Sequence, residues 1–262
     1  MSTRRFERYV ALGDSSTEGI ADGDPRTGYR GWSRRLAERI ATSQGGLLYA
    51  NLGQRGLTTG EIRERQLDRA LAMSPDLATV FSGTNDVLAP RFDVAEFGEH
   101  SRALQTALRG QGATVLTFTL PDLTPLMPLA RLFAPRIVAM NVALRAVCAA
   151  TGATLVDFAA HAVATDARLW NEDRIHANPA GHARIADALA DALGLPGSSA
   201  AWREPLPAQP APGVFAVAAR EAAWAARHLL PWAVVGLLGA GRRPAPRPGP
   251  QPELRPVTPR HA

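Results

Sequence analysis

The chain has 262 residues, 46% hydrophobic and 20% charged, with a single Cys and a net charge of +5. It is long and apolar enough for one large domain plus an appendage, too apolar for a disordered chain, and lacks the cysteines of a disulfide framework or a Cys-based metal site. All 29 basic residues are Arg; residues 1–200 balance 21 Arg against 21 Asp and Glu, so the basic excess belongs to residues 201–262, and the neutral body carries no electrostatic case for nucleic-acid binding.

In chain order, Arg4, Arg5 and Arg8 precede an apolar run, Tyr9–Leu12, far shorter than the roughly 7–15 residues of a secretory h-region, so a cytoplasmic protein is expected. Arg8–Leu12 reads as the first strand. Gly31–Gln44 reads as a helix, with Trp32, Leu36 and Ile40 on one face and arginines between them. Leu47–Asn51 is a second strand, Thr59–Met73 a helix with Thr58 or Thr59 as its N-cap, and Leu77–Ser82 a third strand. Helix Val94–Arg109, strand Ala113–Thr119, helix Pro135–Thr151 and strand Thr154–Phe158 follow. The last body helix is Pro179–Leu193, with Asn178 as N-cap, Pro179 at the first helical position and Gly194 as C-cap. Five β-runs alternating with helices predict an α/β fold, a three-layer α/β/α sandwich on a five-stranded parallel sheet.

Ligands in such sheets bind beyond the carboxyl ends of the strands. The residues able to do chemistry fall there. Gly13-Asp14-Ser15 follows strand one, Asn51-Leu52-Gly53 ends strand two, and Gly83-Thr84-Asn85-Asp86 follows strand three; Asp173-Arg174-Ile175-His176 lies between strand five and the last helix. A serine hydroxyl needs a base to take its proton, and a carboxylate to orient that base. Asp173, three residues before His176, can reach one ring nitrogen and leave the other for Ser15. The N–H groups of Ser15 and Gly53 and the amide of Asn85 are donors of the kind that stabilise an oxyanion.

GDSSTEG at 13–19, NLGQRG at 51–56, GTND at 83–86 and DRIH at 173–176 resemble, in order and spacing, the first, second, third and fifth blocks of the GDSL/SGNH hydrolases. The resemblance implies a flavodoxin-like SGNH hydrolase fold and a serine esterase or lipase cleaving carboxylic esters or thioesters. By position, Ser15 would be the nucleophile, His176 the base and Asp173 its orienter, with Ser15, Gly53 and Asn85 forming the oxyanion hole. No metal or organic cofactor is implied. The family's fourth motif residue is Leu; here it is Ser16. The alternatives are a carbohydrate O-deacetylase, or a catalytically silent ligand- or membrane-binding protein on the same fold.

Other candidates carry blander readings. His182 reads as a helix-surface or supporting residue, His161 as a weak rival base, His100 as solvated, Cys148 as core and Asp86 as a structural bond to loop amides. The loop carrying Tyr29, Arg30 and Trp32 reads either as a solvated turn or as shaping the site entrance, and Trp32 also fits as a helix core residue. Asp122–Phe133 follows strand four with more apolar groups than an exposed loop carries, so Leu126, Met127 and Phe133 are candidates for a substrate pocket. The substrate is expected to be a small acyl ester.

These expectations divide the chain into a hydrolase domain at 1–195, a Pro/Ala linker at 196–213, an amphipathic helical segment at 214–241 and a disordered Arg/Pro-rich tail at 242–262. Leu229–Gly241, the longest uncharged C-terminal run, is too short for a spanning helix of roughly 18 residues and contains Pro231. The segment either packs on the body or makes a weak membrane-surface contact.

Overall fold

The computed structural model describes residues 5–24, 26, 28–209, 213–229 and 248–257. Its central sheet forms from strands β1 (Arg8–Gly13), β2 (Leu47–Asn51), β3 (Leu77–Phe81), β4 (Thr114–Phe118), β5 (Thr154–Val156) and β6 (Gln251–Val257), in the order β5-β4-β3-β1-β2-β6. The first five are parallel. β1 and β3 are almost wholly buried, the continuous apolar pattern of a strand covered on both faces.

Helices α1 (Gly31–Gln44), α2 (Thr59–Ala72), α3 (Val94–Gly110), α4 (Ala134–Thr151) and α5 (Pro179–Ala192) cover the sheet. α1 packs on α5 in one layer; α3 packs on α4 and α2 in the other. Local chemistry sets their ends as the sequence suggests. Thr58 and Glu61 form a reciprocal capping box at α2, and Asn178 caps α5 ahead of Pro179. At the other end of α5 the cap is Leu193, with Gly194 following at φ +64°. β5 is shorter than expected because Asp157 leaves the sheet to accept hydrogen bonds from Arg145 and Thr119.

Two expectations about the C-terminal residues need correction. The sheet has six strands, not five, and the sixth comes from the tail expected to be disordered. Gln251–Val257 pairs antiparallel with β2, with Leu47 opposite Val257 and Asn51 opposite Gln251. An edge strand offers unpaired N–H and C=O groups, and Pro252 and Pro256 are tolerated in its new neighbour because one side of β6 pairs with nothing further among the described residues. Val257 is buried, and Gln251 accepts from Arg34 and donates to the Tyr49 carbonyl. Within the expected linker, Trp202 is also buried, its indole N–H donating to Asp191 at 3.0 Å. Of the 214–241 segment, α6 (Val214–Trp224) is helical and runs into a wider turn at 225–229; residues 230–241 lie outside the described residues, as do 242–247 and 258–262. No helix among the described residues is long and apolar enough to cross a membrane.

β1 lies between β2 and β3, and the chain winds outward from it in both directions. This is the switch point at which a doubly wound sheet opens a crevice. The segments after β1 and β3 therefore meet there.

Candidate active site

β1 ends in Gly13, at φ +156°. A Cβ there would lie 2.1 Å from Thr17 Oγ1 and 2.4 Å from the Phe81 carbonyl, so the turn requires glycine. Asp14 then caps the one-turn helix Ser15–Glu18, its Oδ1 accepting from Ser16 N at 3.0 Å. This places Ser15 at the carboxyl end of the central strand.

The second segment is a tight turn. Asn171 N donates to the His176 carbonyl at 2.8 Å, and Arg174 N to Asn171 O at 2.9 Å. Arg174 adopts φ +62°, a left-handed conformation that costs a non-glycine residue roughly 1–2 kcal/mol. Asp173 Oδ1 accepts from the N–H groups of Ile175 (2.9 Å) and His176 (3.0 Å), and Oδ2 lies 2.8 Å from His176 Nδ1. His176 Nε2 lies 2.8 Å from Ser15 Oγ. Burial raises the Asp173 carboxyl, but the hydrogen bond and charge of His176 and the two backbone donors outweigh it and hold the group well below its ordinary range. An ionised Asp173 only accepts, so Nδ1 carries the proton. Nε2 is left to receive the Ser15 hydroxyl proton.

Gly53 and Asn85 both touch the Ser15 segment. A Cβ on Gly53 would sit 2.5 Å from Glu18 N, so its lack of a side chain permits the approach. Its N–H donates to Asn51 Oδ1 at 2.8 Å, and Asn51 is itself held by Thr17 O and Ser33 Oγ. Asn85 Nδ2 donates to Leu57 O at 3.0 Å and to Asp14 Oδ2 at 3.3 Å. Both amide donors are thus engaged within the protein. The Ser15 N–H has no partner among the described residues. Burial pushes the Asp14 carboxyl up to about 7.

A family model described as GDSL-like lipase/acylhydrolase matches residues 11–184, more than half of the chain. The chain belongs to that family, and it is a carboxylic ester hydrolase by membership. A search of curated proteins found no match. Among solved structures, LAE5, an α/β hydrolase from the metagenome of Lake Arreo, Spain, is 22% identical with a TM-score of 0.60, covering 72% of this chain and 95% of its own. TesA is 23% identical at 0.60, covering 71% and 98%. A variant of Axe2, an acetyl xylan esterase from Geobacillus stearothermophilus, is 18% identical at 0.59, covering 72% and 95%. At these identities the likeness is one of fold.

In this GDSL-like hydrolase the rival residues fall elsewhere. Ser16 Oγ accepts from the Trp32 indole N–H at 3.3 Å. His161 meets the edge of Trp202, and His100 contacts Arg63 and Glu96. His182 is fully buried, not on a helix surface: its Nδ1 accepts from Trp32 N at 3.1 Å and its Nε2 donates to Ile20 O at 2.9 Å. Desolvation pushes it down to about 4, so it is neutral. Asp86 accepts from Thr59 N and Oγ1, the structural role expected of it, and Cys148 is core. Of the residues expected at the entrance, Trp32 is core, while Tyr29 and Arg30 line a separate cleft with Gln251.

The cavity that reaches Ser15 and His176 has a volume of about 70 Å³, and its walls include Phe81, Phe118, Phe158, Leu169, Ile185 and Trp202. Leu126, Met127 and Phe133, the residues expected in a substrate pocket, do not line this cavity; Leu126 faces a neighbouring cleft with Arg174 and Trp224. Leu126 packs with Leu123 and Ala130 in a small separate cluster that Met127 and Trp170 cover, and Phe133 packs on the main core. An apolar excess in the loop after β4 signals burial but not the cavity it faces. Phe81 and Phe118 are the last residues of β3 and β4, a position the crevice rule makes readable. Trp202, outside the expected domain, carries no local signal.

Proposed function

We propose that this hydrolase is a serine esterase working through an acyl-enzyme. The Ser15–His176–Asp173 chain, with links of 2.8 and 2.8 Å, carries the reading. Ser15 Oγ attacks the acyl carbonyl while His176 Nε2 takes its proton, and Asp173 stabilises the imidazolium. His176 then returns the proton to the departing alkoxide, releasing the alcohol. Water, deprotonated by His176, attacks the acyl-enzyme and frees the carboxylic acid and Ser15.

The oxyanion would accept from the Ser15 N–H, the Gly53 N–H and Asn85 Nδ2. The first is unengaged among the described residues; the other two would turn from Asn51 and from the longer bond to Asp14. For Gly53, exchanging the neutral Asn51 amide oxygen for an oxyanion strengthens the bond at the moment charge develops, which is where a donor accelerates the reaction.

The aromatic walls and small volume of the cavity favour short acyl chains. Acetylated carbohydrates fit the same chemistry, since the acyl group alone enters the cavity. A p-nitrophenyl ester panel run across acyl lengths, with wild type and Ser15→Ala, tests the reading. The expected result is activity falling beyond short acyl groups and at least roughly 10³-fold loss on substitution. Activity that survives Ser15→Ala refutes the mechanism.

A further inference from the structure

Between Asp173 and His176 lies Arg174, and its side chain leaves the turn for the C-terminal part of the chain. Nη1 and Nη2 donate to the two carboxylate oxygens of Glu221, each at 2.7 Å, and Nη1 also donates to Leu126 O at 3.0 Å. The guanidinium carbon sits 4.5 Å from the centre of the Trp224 ring. Glu221 and Trp224 both belong to α6, and Arg227 just beyond it pairs with Glu172 at 3.1 Å. The Arg174 side chain is 12% exposed and that of Glu221 40%, so the arginine is held at the body's surface with its partner facing solvent on one side.

We propose that Arg174 is a positioning residue, through which α6 clamps the Asp173–His176 turn in the orientation that sets His176 Nε2 against Ser15 Oγ. The proposal rests on Ser15, His176 and Asp173 being the reacting set. A planar guanidinium held at both nitrogens by one carboxylate fixes direction as well as distance. The Trp224 ring lies over the face of that plane, a cation–π contact that adds to the hold. The backbone at Arg174 is in a conformation that non-glycine residues avoid, and the clamp gives that residue a reason to stay there. Asp173 orients His176 within the turn, whereas Arg174 ties the turn to a helix more than forty residues away in sequence. The C-terminal segment then bears on turnover without touching substrate.

The test uses the full chain with Glu221→Gln, Arg174→Gln and both together. Three quantities are read: kcat and KM on p-nitrophenyl acetate, the thermal midpoint, and the low-field proton resonance of the His176 Nδ1–H in the free protein. Each single variant is expected to lower kcat roughly 10-fold with KM within about 2-fold. The resonance should broaden or shift while the melting transition stays cooperative. The double variant should be no worse than Arg174→Gln alone, because that substitution already removes the contact to Glu221. If the single variants match wild type in kcat and in the resonance, the clamp is refuted; losses that multiply in the double variant refute it as well. Ser15→Ala separates this failure from the other. Ester hydrolysis that persists in Ser15→Ala overturns the reacting set, and with it the proposal. A protein silent on every ester leaves the resonance to decide, since that signal needs no substrate.

Discussion

His182 makes the fold sensitive to acid in a way that can be calculated. It is buried, accepts at Nδ1 from the first turn of α1 and donates at Nε2 to the Ile20 carbonyl, and so holds together α1, α5 and the segment following Ser15. Desolvation lowers its pKa from 6.5 to about 4. A base whose folded pKa is depressed binds fewer protons folded than unfolded between those values. Its contribution is therefore complete above about pH 6.5 and is lost as pH falls toward 4. A depression of this size corresponds to roughly 2–4 kcal/mol, most of it lost between pH 7.5 and 4.5. Gln at this position offers one acceptor and one donor and never ionises. Urea unfolding at both pH values, followed by tryptophan fluorescence, gives the comparison. His182→Gln should lose less stability on acidification than wild type, by roughly 1 M in midpoint for a slope of about 2–3 kcal/mol/M. Asp14 does not confuse the difference, because its raised pKa acts with the opposite sign in both proteins. Equal acid sensitivity in the two proteins would refute the argument.

Three further outcomes follow from the geometry. Asp173→Asn presents an amide N–H to His176 Nδ1 and forces the ring proton onto Nε2, so kcat should fall roughly 10³–10⁴-fold with little change in KM or melting temperature. Ile185→Ala enlarges the cavity beside Ser15, and should raise the kcat/KM ratio of butanoate to acetate esters by about 10-fold or more; an unchanged ratio would place the acyl group elsewhere. Val257→Asp buries a charge where β6 meets the core and should cost about 3 kcal/mol, seen as a melting temperature roughly 6–12 °C lower by circular dichroism.

What could be read from sequence was what neighbouring residues determine. α1 and β2 end where their caps and apolar periods put them, because Gly45 and the Leu47–Asn51 run act within a few residues of themselves. The strand exits were legible for the same reason, and with them Ser15, Gly53 and Asn85. The Asp173–His176 pair is a three-residue spacing, so its internal contact was legible as well. Its meeting with Ser15 across 161 positions follows from the parallel winding of the sheet.

The misreadings of the C-terminal residues have one physical origin: a polar or Pro-rich segment whose structure is supplied by something far away. Residues 251–257 have the composition of an extended, solvated tail, and extended backbone is what an open edge accepts; the deciding fact was that β2 had an edge to offer. Trp202 stood in a segment rich in Pro and Ala, and only the position of Asp191 and Phe158 makes it part of the core. Arg174 extends the same reasoning to the site. Its side chain is an ordinary charge within a four-residue block, and its partners are Glu221 and Trp224, which no local pattern connects to it. A boundary drawn at residue 195 on composition would cut away the partners of the turn that carries His176. Among the described residues, Trp202, α6 and β6 therefore pack on the body beyond the boundary that composition suggests.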